Sequence, residues 1–144
     1  MSKADTANNY FNTYNCAQSV FTAYAPDFGI GKDQALSLAV GFGGGIGRLQ
    51  ETCGAVSGAV MALGLYSRFT ETDGRPKINE VYTKAHNFVD EFTGKMGTAK
   101  CRDLLNCDLG TEEGQKFFRE NNLKDKCRAC VSLCCELLDK YLAE

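Results

Sequence analysis

The chain has 144 residues and a formal net charge of −2, which predicts a single domain over residues 1–144 and excludes the basic footprint of a nucleic-acid-binding protein. Its first residues, MSKADTANNY, are polar and lack the apolar core of a signal peptide, and its longest apolar run, at about residues 55–66, is shorter than the ~18 residues of a membrane span. We therefore expect a cytoplasmic protein without membrane contact. In that setting its eight cysteines indicate metal binding, redox chemistry or plain burial rather than disulfides.

The first half of the chain predicts three helices. Tyrosine, alanine and phenylalanine recur at three- and four-residue steps over about residues 5–24, which predicts a helix that ends before Pro26. A second helix is expected over about residues 32–40, and the glycine run that follows it ends it. A third begins near Thr52, a favourable N-cap residue, and continues to about residue 69.

The second half is also helical, after a turn at residues 72–76. One wide apolar stripe defines the fourth predicted helix, through Ile78, Val81, Tyr82, Ala85, Phe88, Val89 and Phe92. A short fifth helix has Thr98 as its expected N-cap and Leu104 and Leu105 facing inward, and further helices are expected over about residues 112–121 and 126–142. No segment alternates as a strand does, so the fold class is all-α, a compact bundle of about five to six helices.

The segment GFGGGIGR carries a candidate binding loop. No register of its glycines satisfies the dinucleotide-binding pattern, and the lysine of a P-loop is absent. The glycines indicate instead a tight connection with positive φ angles, whose N–H groups can face negative charge beside a basic side chain. The candidate cofactor-binding residues are Gly43, Gly44, Gly45, Gly47 and Arg48. After this loop, Gly54, Gly58 and Ala62 share one helix face, which predicts close packing against a neighbouring helix.

Three cysteines fall in the first turn of a predicted helix, each beside a basic residue. They are Cys53 near Arg48, Cys101 between Lys100 and Arg102, and Cys127 between Lys126 and Arg128. Asp125, two residues before Cys127, is the expected N-cap of the last helix. Helix N-termini and nearby cations both lower the pKa of a thiol, so this placement favours thiolate chemistry. Cys16 lies in the middle of the first predicted helix and does not share the pattern.

The remaining candidates have plainer interpretations. Cys127 and Cys130 form a C-x-x-C pair, but the second pair of a zinc ribbon is absent. Cys130, Cys134 and Cys135 are interpreted as small core residues. The single histidine, His86, is expected to be structural.

Four stretches resemble one family of bacterial and archaeal proteins, the C-GCAxxG-C-C family. They are YNCAQSVF, GFGGGIGRLQETCGAVSGAVMALGL, CRDLLNCDLGTEEG and the final cysteine of the pattern at Cys127. The resemblance spans most of the chain and implies a redox-active protein with key cysteines at Cys16, Cys53, Cys101 and Cys127. Some such proteins occur in iron–sulfur or haem electron-transfer settings. The family label has Gly-Cys-Ala where this chain has Thr52-Cys53-Gly54-Ala55, and Cys107 is interpreted as an auxiliary thiol.

The leading hypothesis is an iron–sulfur cluster for electron transfer, held by Cys16, Cys53, Cys101 and Cys127, with the glycine loop and Arg48 offsetting its charge. A second is metal-free thiol–disulfide chemistry, in which Cys53 is the attacking thiolate and Cys101 or Cys127 resolves the mixed disulfide. A third is a structural or partner-binding module with a zinc site. The expected partners are a redox protein and a second copy of the chain in a homodimer.

Overall fold

A computed structural model describes residues 1–143 of the chain. The helices are α1 (Lys3–Phe11), α2 (Cys16–Tyr24), α3 (Lys32–Ala39), α4 (Gly43–Ile46), α5 (Gly54–Ser67), α6 (Arg75–Met96), α7 (Cys101–Leu105), α8 (Glu112–Glu120) and α9 (Lys124–Leu142). Short 3₁₀ turns at Ala25–Phe28 and Val40–Phe42 flank α3. The all-α prediction is confirmed, since residues 1–143 form no strand beyond one isolated bridge. The expected five to six helices are too few, because eight have at least five residues.

The largest difference from the sequence expectation is a break in the first predicted helix. Helix α1 ends at Phe11, and α2 starts afresh with Asn15 as its N-cap. The Asn15 carboxamide oxygen accepts from the Gln18 N–H over 2.9 Å, and the Gln18 side chain accepts from the Asn15 N–H over 3.0 Å. This reciprocal capping box satisfies two otherwise unpaired N–H groups and fixes where α2 begins. Cys16 is therefore the first residue of a helix, and its predicted mid-helix position is wrong.

Asn15→Ala is expected to lower the free energy of unfolding by about 1–2 kcal/mol, because it removes the N-cap of α2. It also removes a hydrogen bond of 2.9 Å from the Asn15 side chain to the Val40 carbonyl oxygen, which ties α2 to the segment before the glycines. Urea unfolding followed by circular dichroism measures the change. Thr13→Ala, at an exposed position in the same connection, is the control. Equal unfolding midpoints for the two variants would contradict the structural role given to Asn15.

A backbone bridge between two distant segments sets where α5 and α7 begin. The Cys53 N–H donates to the Ala99 carbonyl oxygen, and the Cys101 N–H donates to the Glu51 carbonyl oxygen, both over 2.7 Å. Thr52 lies in this antiparallel bridge opposite Lys100, so the N-cap of α5 is Cys53 rather than the predicted Thr52. The bridge brings the starts of α5 and α7 side by side.

The N-caps predicted for the fifth and last helices also differ. The N-cap of α7 is Lys100, and the Thr98 hydroxyl accepts from the Lys100 N–H over 3.1 Å. The last helix begins two residues before its predicted start, at Lys124, which places Asp125 inside the first turn rather than at the cap.

The core lies between α2, α5, α6 and α9. Helix α5 packs closely on α2. A Cβ added at Gly58 would lie only 2.7 Å from the Ala17 carbonyl oxygen, so the close approach requires glycine at this position. This confirms the close packing expected from the small-residue face of α5. Tyr24 of α2 is buried, and its hydroxyl group bonds Asp139 of α9 over 2.7 Å.

Helix α6 meets the core mainly through its second half. Phe88 and Phe92 are fully buried, whereas Tyr82 is 63% exposed, so Tyr82 does not belong to the buried stripe that the sequence predicts. His86 is exposed on the same helix and lies 3.1 Å from the Asp90 carboxylate. No helix in residues 1–143 combines the length and the apolar character that crossing a membrane requires.

Candidate functional site

One cavity, of about 510 Å³, gathers the cysteines that the sequence analysis selected. All four of them, Cys16, Cys53, Cys101 and Cys127, line its wall, and Cys130 is the fifth thiol there. The rest of the wall is mainly glycine, leucine and phenylalanine, with a few polar and basic side chains. Residues more than a hundred positions apart in the chain therefore contribute thiols to a single concave site.

The four predicted cysteines share one structural position. Cys16 and Cys101 are the first residues of α2 and α7, Cys53 is the N-cap of α5, and Cys127 is the fourth residue of α9. The helix-start pattern seen in the sequence for three cysteines therefore extends to Cys16. At the start of α5 the N–H groups of Val56 and Ala55 stabilise negative charge on the Cys53 sulfur, whereas the Cys127 N–H is already paired with the Leu123 carbonyl oxygen over 3.3 Å.

The glycine segment, defined here as residues 43–48, contains α4 but forms a left-handed turn rather than a regular right-handed helix. Five successive residues have positive φ angles: 65° at Gly44 and Gly45, 67° at Ile46, 53° at Gly47 and 66° at Arg48. This conformation costs about 1–2 kcal/mol for a residue with a Cβ. Because three of the five positions are glycine, only Ile46 and Arg48 carry that cost. The turn is closed by hydrogen bonds from Gln50 N–H to Gly44 and from Glu51 N–H to Gly45, of 3.0 and 2.9 Å.

The candidate cofactor-binding residues lie at the site in two different ways. Gly43, Gly44, Gly47 and Arg48 line the cavity. Gly45 is buried behind it, where an added Cβ would lie 2.9 Å from the Cys101 Cβ atom. The Gly44 N–H hydrogen-bonds the Cys16 sulfur. The expected positive φ angles are therefore confirmed, and at least one N–H group of the segment faces a thiol.

The glycine at position 54, directly after Cys53, is explained by a steric contact. A Cβ at Gly54 would lie 2.6 Å from the Cys16 sulfur and 2.8 Å from the Phe42 carbonyl oxygen. The absence of a side chain at this position lets the Cys16 thiol approach the start of α5. This explains why glycine follows the cysteine here.

One thiol of the cavity, Cys53, has a lowered pKa, whereas the pKa values of the other cavity thiols are raised. A hydrogen bond from the Cys130 side chain lowers the pKa of Cys53, and the N–H groups of Val56 and Ala55 at the start of α5 add to this effect against the cost of burial. Burial, and then repulsion from Cys53, raise the pKa of Cys16 to about 11. The same two causes raise the pKa of Cys101 to about 12.

These pKa values predict that the reduced, metal-free protein loses stability as the pH rises above 9. The usual thiol pKa is 9.0, whereas folded Cys16 and Cys101 have pKa values of about 11 and about 12. Above pH 9 the unfolded chain releases these protons before the folded chain does, so their contribution, fully present below pH 9, is lost toward pH 11–12. We expect the urea midpoint to fall between pH 8 and pH 10.5, and to fall less steeply in Cys101→Ala. A midpoint that rises over this range, or an equal slope in the variant, would contradict the prediction.

Sequence reasoning missed two residues at this site. Cys130 is buried, as expected of a core residue, but it also lines the cavity and its thiol is a hydrogen-bond partner of Cys53. Its position three residues after Cys127, on the same helix face, was the available signal. Gln50 is fully buried and holds the loop after α7, since its side chain donates to the Cys107 carbonyl oxygen and accepts from the Leu109 N–H, both over 2.8 Å. It also hydrogen-bonds the Cys101 thiol, which partly opposes the rise in the pKa of that group.

The other thiols lie away from this wall. Cys134 and Cys135 are completely buried in the core, as the sequence predicted for them. Cys107 is partly exposed on the loop after α7 and does not line the cavity. In the described part of the chain all eight cysteines are free, and no group of three or more His, Cys, Asp or Glu residues is arranged to hold a metal ion.

Comparison with known proteins gives two findings. The family model described as "Putative redox-active protein (C_GCAxxG_C_C)" matches residues 14–141, which include every cysteine of the cavity. A protein of Archaeoglobus fulgidus, described only as "Uncharacterized protein", is 33% identical over 116 residues, which are 75% of this chain and 77% of the relative. No solved structure matches the chain. The extent of the family match shows that this chain belongs to the C_GCAxxG_C_C family.

Proposed function

We propose that the cavity cysteines Cys16, Cys53, Cys101 and Cys127 hold an iron–sulfur cluster and that the protein transfers single electrons through it. The supporting observation is that four thiols from four separate helix starts line one cavity. Iron–sulfur clusters are usually held by four cysteine thiolates, which these residues can provide. Membership of a redox-active family agrees with this proposal.

The side chains that could bind a metal in this cavity are of the type that iron–sulfur clusters require. Every metal-binding side chain on the cavity wall is a thiol, and sulfur is the protein ligand that iron–sulfur centres use. The thiols are not already arranged around a point, as a single tetrahedral ion with sulfur ligands at about 2.3 Å would require. A cluster distributes its ligands over several iron atoms, so the proposal requires only that the four thiols turn toward the cavity.

The surrounding residues would favour the thiolate forms that ligation needs. Cys53 already has a lowered pKa, and the Gly44 N–H bonds the Cys16 sulfur. The raised pKa values of Cys16 and Cys101 arise from burial and from the neighbouring thiolate. Both causes weaken when a cation binds, and metal binding then releases these protons. Arg48 at the same wall would offset the net negative charge of a cluster with four thiolates.

Anaerobic purification or reconstitution tests the proposal. Iron and acid-labile sulfide are assayed per chain, and the visible spectrum is recorded before and after dithionite. We expect stoichiometric iron and sulfide and an absorption band that bleaches on reduction. Zinc is measured in the same samples, because a structural zinc site is the alternative metal prediction. A colourless protein without iron or sulfide after anaerobic reconstitution would contradict the cluster.

A metal-free thiol–disulfide function is the second candidate, and the contact between Cys53 and Cys130 favours it. Cys53 has the lowered pKa of an attacking thiolate, and Cys130 is its hydrogen-bonded neighbour. Cys53 would attack the disulfide of a partner and release one partner thiol. Cys130 would then attack the Cys53 sulfur, which forms the internal disulfide and releases the second thiol, so that two electrons and two protons pass to the partner. Cys130 thus replaces Cys101 and Cys127 as the proposed resolving thiol.

Mass spectrometry of the metal-free protein separates the two candidates. A Cys53–Cys130 disulfide lowers the mass by about two hydrogen atoms and is located by peptide mapping after blocking the free thiols. Reversible formation with a defined reduction potential supports the second candidate. Eight thiols that titrate normally and never oxidise as a pair would eliminate it.

A further inference from the structure

Among the residues that the structure describes, three basic residues and no Asp or Glu line the cysteine cavity. Arg48 on the glycine segment, Arg119 on α8 and Lys126 on α9 all line it. No Asp or Glu is among the lining residues, although the chain as a whole has a net charge of −2. Three cations from three separate segments therefore border one concave surface. Such a surface raises the local concentration of anions.

These three side chains are not engaged elsewhere. Within residues 1–143 no carboxylate lies within 4.0 Å of their charged groups. Glu120, the neighbour of Arg119 in sequence, pairs with Lys116 over 3.8 Å. Arg128, two residues after Lys126, is by contrast held by the Asn8 and Asn12 side chains and does not line the cavity. The three cavity cations are therefore free to bind a ligand.

The size of the cavity and the rest of its wall narrow the ligand class. A volume of about 510 Å³ lies within the roughly 300–1,000 Å³ of small-molecule sites. Apolar side chains also line the cavity, namely Phe11, Leu104, Leu105, Leu109 and Phe118. A mostly apolar pocket with a few convergent charged groups is typical of sites that hold an organic molecule by its body and orient it by its charge.

We propose that this cavity binds a small organic anion with an apolar body, whose acidic group is held by Arg48, Arg119 and Lys126. Carboxylate and phosphate groups share the required chemistry, since both accept paired hydrogen bonds from arginine. The apolar part of the ligand would then face the cysteine wall. The binding does not depend on the proposed redox function.

Two aromatic disulfides of opposite character test the binding on the reduced, metal-free protein. One is 5,5′-dithiobis(2-nitrobenzoate), which carries two carboxylates, and the other is 4,4′-dithiodipyridine, which is neutral at pH 8. A cavity thiolate attacks either reagent, forms a mixed disulfide and releases one aromatic thiol, which is followed by its absorbance. Cys107→Ser serves as the background, because Cys107 is a partly exposed thiol outside the cavity. Peptide mapping identifies the modified cysteine.

The test variant carries Arg48→Gln, Arg119→Gln and Lys126→Gln, which remove the three cavity cations. The control variant carries Arg75→Gln, Lys84→Gln and Lys95→Gln, which remove the same charge from α6, a helix that contributes nothing to the cavity wall. We expect the test variant to slow the carboxylated reagent at least about tenfold and the neutral reagent less than about twofold. The control variant is expected to leave the reaction rates of both reagents unchanged. Added salt should slow only the carboxylated reagent, and only while the cavity cations are present.

Three results would overturn the proposal: equal slowing of both reagents in the test variant, the same selectivity loss in the control variant, or anion selectivity that maps to a thiol outside the cavity. Added 4-nitrobenzoate, which cannot react with thiols, should also slow modification of the cavity cysteine in the background protein but not in the test variant. Iron uptake and disulfide formation are measured separately. A protein that binds no iron and forms no disulfide but selects the anionic reagent would fail the proposed function and still support this inference.

Discussion

Cys53→Ala is expected to abolish iron and sulfide incorporation during anaerobic reconstitution, and with it the reducible visible band. Cys53 is the thiol with the lowered pKa, and both Cys16 and Cys101 are influenced by its charge, so it lies electrostatically at the centre of the cavity thiols. Removal of the thiol also leaves Cys130 without its hydrogen-bonded partner. The same substitution therefore eliminates both candidate redox functions.

Cys135→Ala is the matched control for this experiment. Cys135 is a buried thiol, as Cys53 is, but lies outside the cavity, beside the Tyr24 hydroxyl group. We expect it to lower the free energy of unfolding by about 1–2 kcal/mol, since it truncates a packed side chain, without changing iron uptake. Circular dichroism and the urea midpoint establish that both variants are folded. Normal iron loading of folded Cys53→Ala, or equal loss of iron in both variants, would refute the assignment of Cys53.

The four helix-start cysteines show how far sequence reasoning reaches. Local signals selected Cys53, Cys101 and Cys127, because helix starts and flanking cations are visible in a short window. Cys16 came only from the family resemblance, since aromatic residues keep helical spacing across the break before α2. The signal for the break was the Asn15–Gln18 capping box, which the sequence contains, although the continuous spacing favoured one long helix.

The parts that were not predicted depend on non-local contacts. The bridge that places Cys53 beside Cys101 joins residues almost fifty positions apart, and no periodicity in either segment indicates it. Gln50 is similar, because its role depends on hydrogen bonds to the loop after α7. Cys130 had a signal in the i, i+3 spacing, but a buried cysteine on an apolar helix face is ordinarily a packing residue. Only the convergence of α5 and α9 gives it a second role.

Gly54→Ala is expected to cost about 1–3 kcal/mol of folding free energy, the usual range for an added group in a filled site. The new Cβ would lie 2.6 Å from the Cys16 sulfur and 2.8 Å from the Phe42 carbonyl oxygen, and the second of these is backbone that cannot rotate away. Relief therefore requires the Cys16 side chain or the start of α5 to move. Because both belong to the cavity wall, we expect iron loading to fall together with stability.

Gly64→Ala on the same helix distinguishes this steric effect from the general effect of alanine. Gly64 lies inside α5 with nothing within 4 Å of an added Cβ, so alanine there is expected to stabilise the protein by about 0.5–1 kcal/mol through its better helix propensity. Alanine at Gly54 gains less from propensity, at the first residue of the helix, and meets the Cys16 sulfur. Opposite signs of the two changes in urea midpoint, with iron loading reduced only in Gly54→Ala, would show that this glycine keeps space for a thiol. A stabilised Gly54→Ala protein with normal iron loading would show that Cys16 does not need that space.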